Sequence, residues 1–264
     1  MNKTYPLIAT PVSYSLFTEQ NRGLIIEHSD CLEGRPETSG NPFGTEKVFH
    51  YDEIEPCHHL SETTFSDIRS LILKKKDLEC ISFHVAFCTN PKRQDENVYT
   101  KRYTRDELYD NCKKNIARIK EIIGPNISIL LENNNYFKEE LHRDVTDGDF
   151  LSSLVYDNDI FFLLDTAHAR VTCSHKNIDY ENYLKSLPLK RCKQIHLSRV
   201  DEDRQPLIDS HLCPQEKEFL ELVDILKQYN TIEYITIEHY EDINSLIESI
   251  QRLKSFLKNA GFRK

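Results

Sequence analysis

At 264 residues the chain is long enough for one large α/β domain, and its formal charge of −9 argues against non-specific binding to nucleic acid, although not against a local basic patch. No apolar run reaches the roughly eighteen residues that span a bilayer, and the first six residues carry no apolar signal region, so the expectation is a cytoplasmic protein with no membrane partner. Eight cysteines without a Cys-x-x-Cys pair read as reduced thiols, which disfavours a disulfide framework and a cysteine-ligated metal.

Eight short apolar runs follow one another along the chain, at 7–13, 23–27, 47–50, 80–87, 127–132, 160–165, 193–197 and 234–238. Near-continuous apolar runs of this length suit parallel strands covered by helices. Helical patterns lie between them. The clearest is 105–123, where Thr104 and Glu107 form a capping box, Leu108, Cys112, Ile116, Ile119 and Ile123 make an apolar stripe, and Gly124-Pro125 stops the helix. A second spans 61–78 with Ser61 as N-cap, and others fall near 148–156, 179–186, 215–229 and 243–259. No linker, low-complexity tract or solenoid-type repeat divides the chain, and the polar stretches 33–47 and 92–106 are short enough to be loops. Strand and helix alternation with eight strands predicts a single (β/α)₈ TIM barrel over 1–264, with a doubly wound open sheet as the alternative that gives the same one-dimensional pattern.

The strands share a second regularity. "LIIE" ends in Glu27, "KVFH" in His50, "ISFH" in His84, "ILLE" in Glu132, "FFLLD" in Asp165, "KQIH" in His196 and "ITIE" in Glu238. Each has an ordinary reading when taken alone, since a carboxylate after a strand commonly caps a helix and an imidazole commonly hydrogen-bonds. A barrel, however, brings all its strand C-termini to one face, and so many ionisable groups buried together need metals or close pairing to compensate them. Imidazole and carboxylate ligands suit Zn, Mn or Fe, and a carboxylate can bridge two ions, so the expectation is a cluster of two or three metals. "LIDSH" adds Asp209 and His211 after the seventh strand, at alternating positions that share one side of an extended segment. Asp165 and His168 lie three apart, one at the strand tip and the other on a loop above it. His58, His59, His142 and His175 sit in polar segments and read as solvated, whereas His28 and His239 follow candidate ligands and read as supporting groups. There is neither a Gly-rich phosphate loop nor a Gly-x-Ser-x-Gly elbow.

From residue 82 onward, the order His84, Glu132, Asp165, His168, His196, Asp209, His211, Glu238 resembles the xylose-isomerase-like TIM-barrel superfamily, which includes sugar isomerases and endonuclease IV. "DTAHA" and the Asp-x-His of "DSH" are similar to the trinuclear zinc site of endonuclease IV. A closer resemblance is to the multinuclear non-heme iron-dependent oxidative enzymes, whose founding member is the iron subunit of methanobactin biosynthesis. It rests on "ISFHVAF", "ILLENNNYF", "FLLDTAHARVTC", "YLKSLPLKRCKQIHL", "PLIDSHLCP" and "YITIEHYED", and covers about residues 80–242. Where that family often has Asn this chain has His168, and where it often has Ala-Gly this chain has Ser198-Arg199.

The resemblance implies a bridging Glu132 that acts with Asp165 and His168 in catalysis. It implies metal ligation by His84, Asp165, His168, His196, Asp209, His211 and Glu238, with His50 or a neighbouring histidine completing the set, and supporting or substrate-facing places for Glu27, Asn133, His239 and Arg199. It also implies two or three iron ions, Fe2+ and Fe3+ together, that use O2 to oxidise a side chain, cysteine foremost, of a ribosomally made peptide, with a partner protein that recognises the leader. An endonuclease IV-like phosphodiesterase or a sugar isomerase or epimerase, using Zn2+ or Mn2+, is the alternative.

Overall fold

The computed structural model describes residues 3–13, 15–36, 46–91 and 99–263, so parts of the two polar stretches expected to be loops, 37–45 and 92–98, lie outside the described residues. Eight parallel strands close into a barrel: β1 (Leu7–Pro11), β2 (Cys31–Gly34), β3 (Glu46–Tyr51), β4 (Cys80–His84), β5 (Ser128–Glu132), β6 (Phe161–Asp165), β7 (Cys192–Leu197) and β8 (Tyr234–Ile237). Each strand pairs with the next in sequence, and β8 returns to β1, with Tyr234 beside Leu7 and Ile235 beside Ile8. That last pairing decides for a closed barrel over an open sheet.

Apart from the single turn Glu139–His142, the α-helices among the described residues are α1 (Glu19–His28), α2 (Glu62–Lys74), α3 (Arg105–Ile123), α4 (Gly148–Asp157), α5 (Thr166–Lys176), α6 (Tyr180–Ser186), α7 (Glu216–Gln228) and α8 (Ile243–Asn259). In α3 the Thr104 hydroxyl accepts from the Glu107 backbone N–H at 3.2 Å and the Glu107 carboxylate accepts from the Thr104 N–H at 2.9 Å, while Leu108, Cys112, Ile116, Ile119 and Ile123 are all buried. Such a cap contributes about 1 kcal/mol. The apolar stripes of the helices and the outward residues of the strands form one shell, which includes Ile8, Phe49, Ile81, Phe83, Leu131, Phe162 and Ile195.

Inside the barrel a separate cluster closes the floor, drawn from seven strands: Ala9, Cys31, Val48, Cys80, Leu130, Leu163 and Tyr234. The Tyr234 hydroxyl donates to Glu79 beneath it.

The second strand is not where the apolar run at 23–27 puts it. That run belongs to α1, which begins at Thr18, whose hydroxyl accepts from the Asn21 N–H, and buries only Ile25. The strand comes four residues later as "CLEG", every residue buried. It passes close to its neighbour, for a Cβ on Gly34 would lie 2.5 Å from the Phe49 ring. Four apolar-looking residues in "GLIIE" suit a strand by composition, but the capping hydroxyl and the buried segment after Asp30 decide for a helix. A second difference lies at α5, since His168 stands in the first turn of a helix and not on a loop.

Candidate metal centre

Residues two apart on a strand face the same side, so the positions after the floor also point inward. There the barrel turns polar. Cys31 is followed by Glu33, Val48 by His50, Cys80 by Ser82 and then His84, Leu130 by Glu132, Leu163 by Asp165, and Tyr234 by Thr236 and then Glu238. His196 on β7 lies level with Asp165 on one side and Thr236 on the other. Glu33, His50, Glu132, Asp165, His168, His196 and Glu238 are all buried.

Glu132 stands in the middle. Its Oε2 is 2.7 Å from His84 Nε2 and 3.4 Å from His50 Nε2, and those two ring nitrogens are 3.0 Å apart. The Ser82 hydroxyl donates to the Phe49 carbonyl, which leaves its oxygen to accept from His50 Nδ1–H at 2.8 Å and turns the lone pair of His50 Nε2 toward Glu132. Glu132 Oε1 faces the other way, 3.1 Å from His196 Nδ1 and 3.9 Å from His168 Nδ1.

Asp165 does two things. Its Oδ1 accepts from the His168 backbone N–H at 2.7 Å and so caps α5, while its Oδ2 lies 3.9 Å from His168 Nε2. Asn133 clamps Asp165 by donating to its carbonyl at 2.9 Å and accepting from its N–H at 3.0 Å, and the Asn133 carbonyl accepts from His168 Nδ1–H at 2.8 Å. His168 Nε2 is thereby left as the ligand atom, 3.2 Å from Asp209 Oδ2. Asp209 and His211 ride on the strand Ile208–Leu212, which pairs antiparallel with Arg199–Asp201 as a flap over the mouth. His211 Nε2 is 3.6 Å from both Asp209 Oδ2 and Glu238 Oε2.

On the remaining side Glu33 Oε2 accepts from Thr236 at 3.0 Å and from Gln194, and takes His196 Nε2–H at 3.0 Å, which aims His196 Nδ1 at Glu132. Arg35 Nη2 lies 2.6 Å from both Glu33 Oε1 and Glu238 Oε1, and the Tyr240 hydroxyl donates to Glu238 Oε1 at 2.8 Å.

The electrostatics follow from burial set against this crowding. Burial lowers His50 well below the usual imidazole range. Burial would raise Glu132 and Glu238, but His50, His84 and His196 hold Glu132 well below the usual carboxylate range, and His196 and Arg35 do so for Glu238. Burial pushes Asp165 well up, with repulsion from Glu238, Asp209 and Glu132 added. The carboxylates overcome burial at His168 and His196 and raise both.

The residues fit a metal centre. Glu132 Oε1 and Oε2, Asp165 Oδ2 and His196 Nδ1 are buried with no hydrogen-bond partner, a condition that costs about 1–3 kcal/mol per atom, more for charged groups, unless a cation satisfies them. Three groups bring ligand atoms within 4.8 Å of one another: His50, His84 and Glu132; Glu132, Asp165 and His168; and Glu33, His196 and Glu238. None of these groups contains a cysteine.

Among the residues expected from sequence, His50, His84, Glu132, Asp165, His168, His196, Asp209, His211 and Glu238 meet at the barrel mouth. Asn133 supports Asp165 and His168. His239 Nδ1–H donates to the His211 carbonyl at 2.9 Å and thus holds the flap. Arg199 Nε donates to the Cys213 carbonyl at 3.4 Å, a bond within the flap. Glu27 is a correction: it is exposed on the outer helix α1, because the strand expected to carry it is a helix. His58 and His142, expected to be solvated, are buried; His58 bonds the Phe87 carbonyl and His142 the Lys138 carbonyl. Sequence reasoning missed Glu33, Arg35 and Tyr240. The signal for Glu33 was present, since Cys31-x-Glu33 repeats the apolar-x-polar step of Val48-x-His50 and Leu130-x-Glu132.

Solved structures share this architecture: a putative xylose isomerase from Rhodospirillum rubrum superposes with a TM-score of 0.64 at 11% identity, over 95% of this chain and 99% of that one. A 3-keto-D-glucoside 4-epimerase from E. coli gives 0.62 at 14% identity, over 95% and 100%. Among sequence relatives, a UPF0276 protein of Acaryochloris marina is 28% identical over 134 residues, 51% of this chain and 48% of that protein. One of Shewanella loihica is 24% identical over 201 residues, 69% of each. The chain thus spans about half the length of the first of these relatives. Residues 54–258 match the family described as RiPP precursor modification enzyme MbnB/TglH/ChrH, and strands β4 to β8, with the candidate ligands they carry, and the flap fall inside that match. The chain belongs to this family of RiPP precursor modification enzymes.

Proposed function

We propose that the chain is a multinuclear iron enzyme that uses O2 to oxidise a side chain, cysteine foremost, of a ribosomally made peptide. The observation that carries the reading is Glu132, whose two buried oxygens have no hydrogen-bond partner and face different histidines, Oε2 toward His50 and His84 and Oε1 toward His196 and His168. A carboxylate so placed is suited to bridge two ions. Iron bound there would supply one-electron redox chemistry and the activation of O2, which no side chain of the site can perform.

The chain's own residues do the rest. His50, His84, Glu132, Asp165, His168, His196, Asp209, His211 and Glu238 would hold the ions. Ser82, Asn133 and Glu33 orient His50, His168 and His196 so that each presents a lone pair. We place Glu132, Asp165 and His168 at the reaction itself, because they form one ligand group on the Oε1 side of the bridge. The His84 and His211 side chains, 18% and 36% exposed, mark the open side from which a peptide side chain approaches. Membership of a family that modifies RiPP precursors supports a peptide substrate, and a separate leader-binding partner is part of the proposal.

The test is anaerobic reconstitution with Fe(II), metal counting by mass spectrometry, and exposure to O2 with a cysteine-containing precursor peptide and its leader-binding partner. At least two irons per chain, a mixed-valence EPR signal and an oxidative mass change on the peptide are expected. Full activity of a stoichiometric zinc form would overturn the reading.

A further inference from the structure

The third ligand group at the mouth differs from the other two. Glu132 and Asp165 keep buried oxygens without a hydrogen bond, and these are aimed into the centre. Glu33 Oε1 is likewise buried without a hydrogen bond, but Glu33 and Glu238, unlike Glu132 and Asp165, have a guanidinium set against them. Glu33 Oε2 receives Gln194, Thr236 and His196, and its Oε1 lies 2.6 Å from Arg35 Nη2. Glu238 Oε1 receives Arg35 Nη2 at 2.6 Å and Tyr240 at 2.8 Å, which leaves only Oε2 toward His211. Arg35 is 7% exposed and follows Gly34 at the end of β2, so its guanidinium enters the mouth from the wall, and it also donates to the Tyr240 hydroxyl at 3.1 Å.

We propose that Arg35 is a built-in third cation: its guanidinium, ion-paired with Glu33 and hydrogen-bonded to Glu238, closes the third candidate position, so the mouth holds two metal ions. This rests on the metal-centre reading given above and sets its nuclearity. The charge balance agrees. Five carboxylates meet here, Glu33, Glu132, Asp165, Asp209 and Glu238, against one guanidinium, and the four negative charges that remain are what two divalent ions cancel in the reduced form, before any oxidation to the mixed-valence state. A third divalent ion would leave a buried excess of positive charge and would have to displace short charge-assisted hydrogen bonds. Arginine suits the role because it cannot lose its proton, and here its Nη2 meets two carboxylates at once.

The experiment is an anaerobic titration of the full chain with Co(II) and, separately, Fe(II), with bound metal counted by mass spectrometry after desalting and the cobalt visible bands followed in parallel. The wild type is expected to saturate at two ions per chain under excess metal, Arg35→Lys at two, and Arg35→Met, which keeps length but removes charge, at three. A count of three in the wild type, or of two in folded Arg35→Met, would overturn the proposal. Should Arg35→Met not fold, anomalous scattering at the cobalt edge from wild-type crystals decides: two peaks flanking Glu132 support it, and a peak between Glu33 and Glu238 overturns it. Proteins that take up no metal would overturn the metal centre itself, a failure told apart from a count of three.

Discussion

Asp165 shows how one side chain can satisfy both a structural and a chemical reading. Its Oδ1 caps α5 and its Oδ2 is an unsatisfied buried oxygen near His168, so the ordinary expectation for a carboxylate after a strand and the metal-ligand expectation are both met by different atoms of one group. The two functions separate by mutation. Asp165→Asn keeps a capping oxygen and replaces a carboxyl whose charged form is disfavoured by burial and by Glu238, Asp209 and Glu132. We therefore expect its metal-free form to melt at or above the wild-type temperature in chelator, while metal retention falls at least tenfold. Asp165→Ala loses the cap as well and should be about 1 kcal/mol less stable than Asp165→Asn. Unchanged metal content in Asp165→Asn would remove Asp165 from the ligand set. Glu132→Ala should lose metal and activity together with an unaltered far-UV CD spectrum, since both ion positions share it. Asn133→Ala, which keeps the carbonyl that holds the His168 ring but removes both side-chain bonds that clamp the Asp165 backbone, should lower metal affinity about 10–100-fold. At this scale the sequence displayed nearly every ligand type but not Glu33, because recognising it required the register of β2.

That register is an element-scale matter. The apolar run in α1 and the strand β2 lie three residues apart, and only the position of the cap at Thr18 and the burial of the whole of "CLEG" tell which is which. Where local signals agree, as in α3 with its capping box, stripe and terminal glycine, sequence and structure coincide over Arg105–Ile123. Glu55 makes a prediction about the loop between β3 and α2. Its Oε2 accepts the backbone N–H groups of Ala86 and Phe87, at 3.3 and 3.0 Å, and so ties this loop to the one leaving β4. Burial, only partly offset by those two hydrogen bonds, raises its carboxyl to about 8. The folded form therefore holds a proton that the unfolded chain releases near the ordinary carboxyl value. Stability from this group is complete below that value and is lost as pH rises toward about 8, by up to a few kcal/mol. Glu55→Gln should keep the loop contact and flatten this fall, so its melting temperature should overtake the wild type between pH 6 and 8.5. Parallel melting curves across that range would show that Glu55 ionises normally.

For the whole molecule, strand and helix alternation was legible along the chain, but closure was not, because a pairing between the first and last strands leaves no mark in a one-dimensional pattern. Closure is also what makes the site possible. Glu132 comes from β5, His84 from β4, His50 from β3, His196 from β7 and Asp165 from β6, so ions held among them, as proposed, would cross-link strands around much of the ring. Ligand binding at a thousandfold excess over its dissociation constant adds about 4 kcal/mol. With about 2–4 °C per kcal/mol for chains near this size, chelation should lower the melting temperature by on the order of 10 °C. The effect must depend on pH in a stated direction. The carboxylates raise His168 and His196 well above the usual imidazole range, so metal uptake displaces protons from both rings. Acid then favours the proton over the metal, and the gap between metal-loaded and chelated protein should be widest near pH 8 and shrink steadily toward pH 5.5. Differential scanning calorimetry of the two forms across that range measures it, and a gap that stays constant would mean that the ions are not held by these imidazoles.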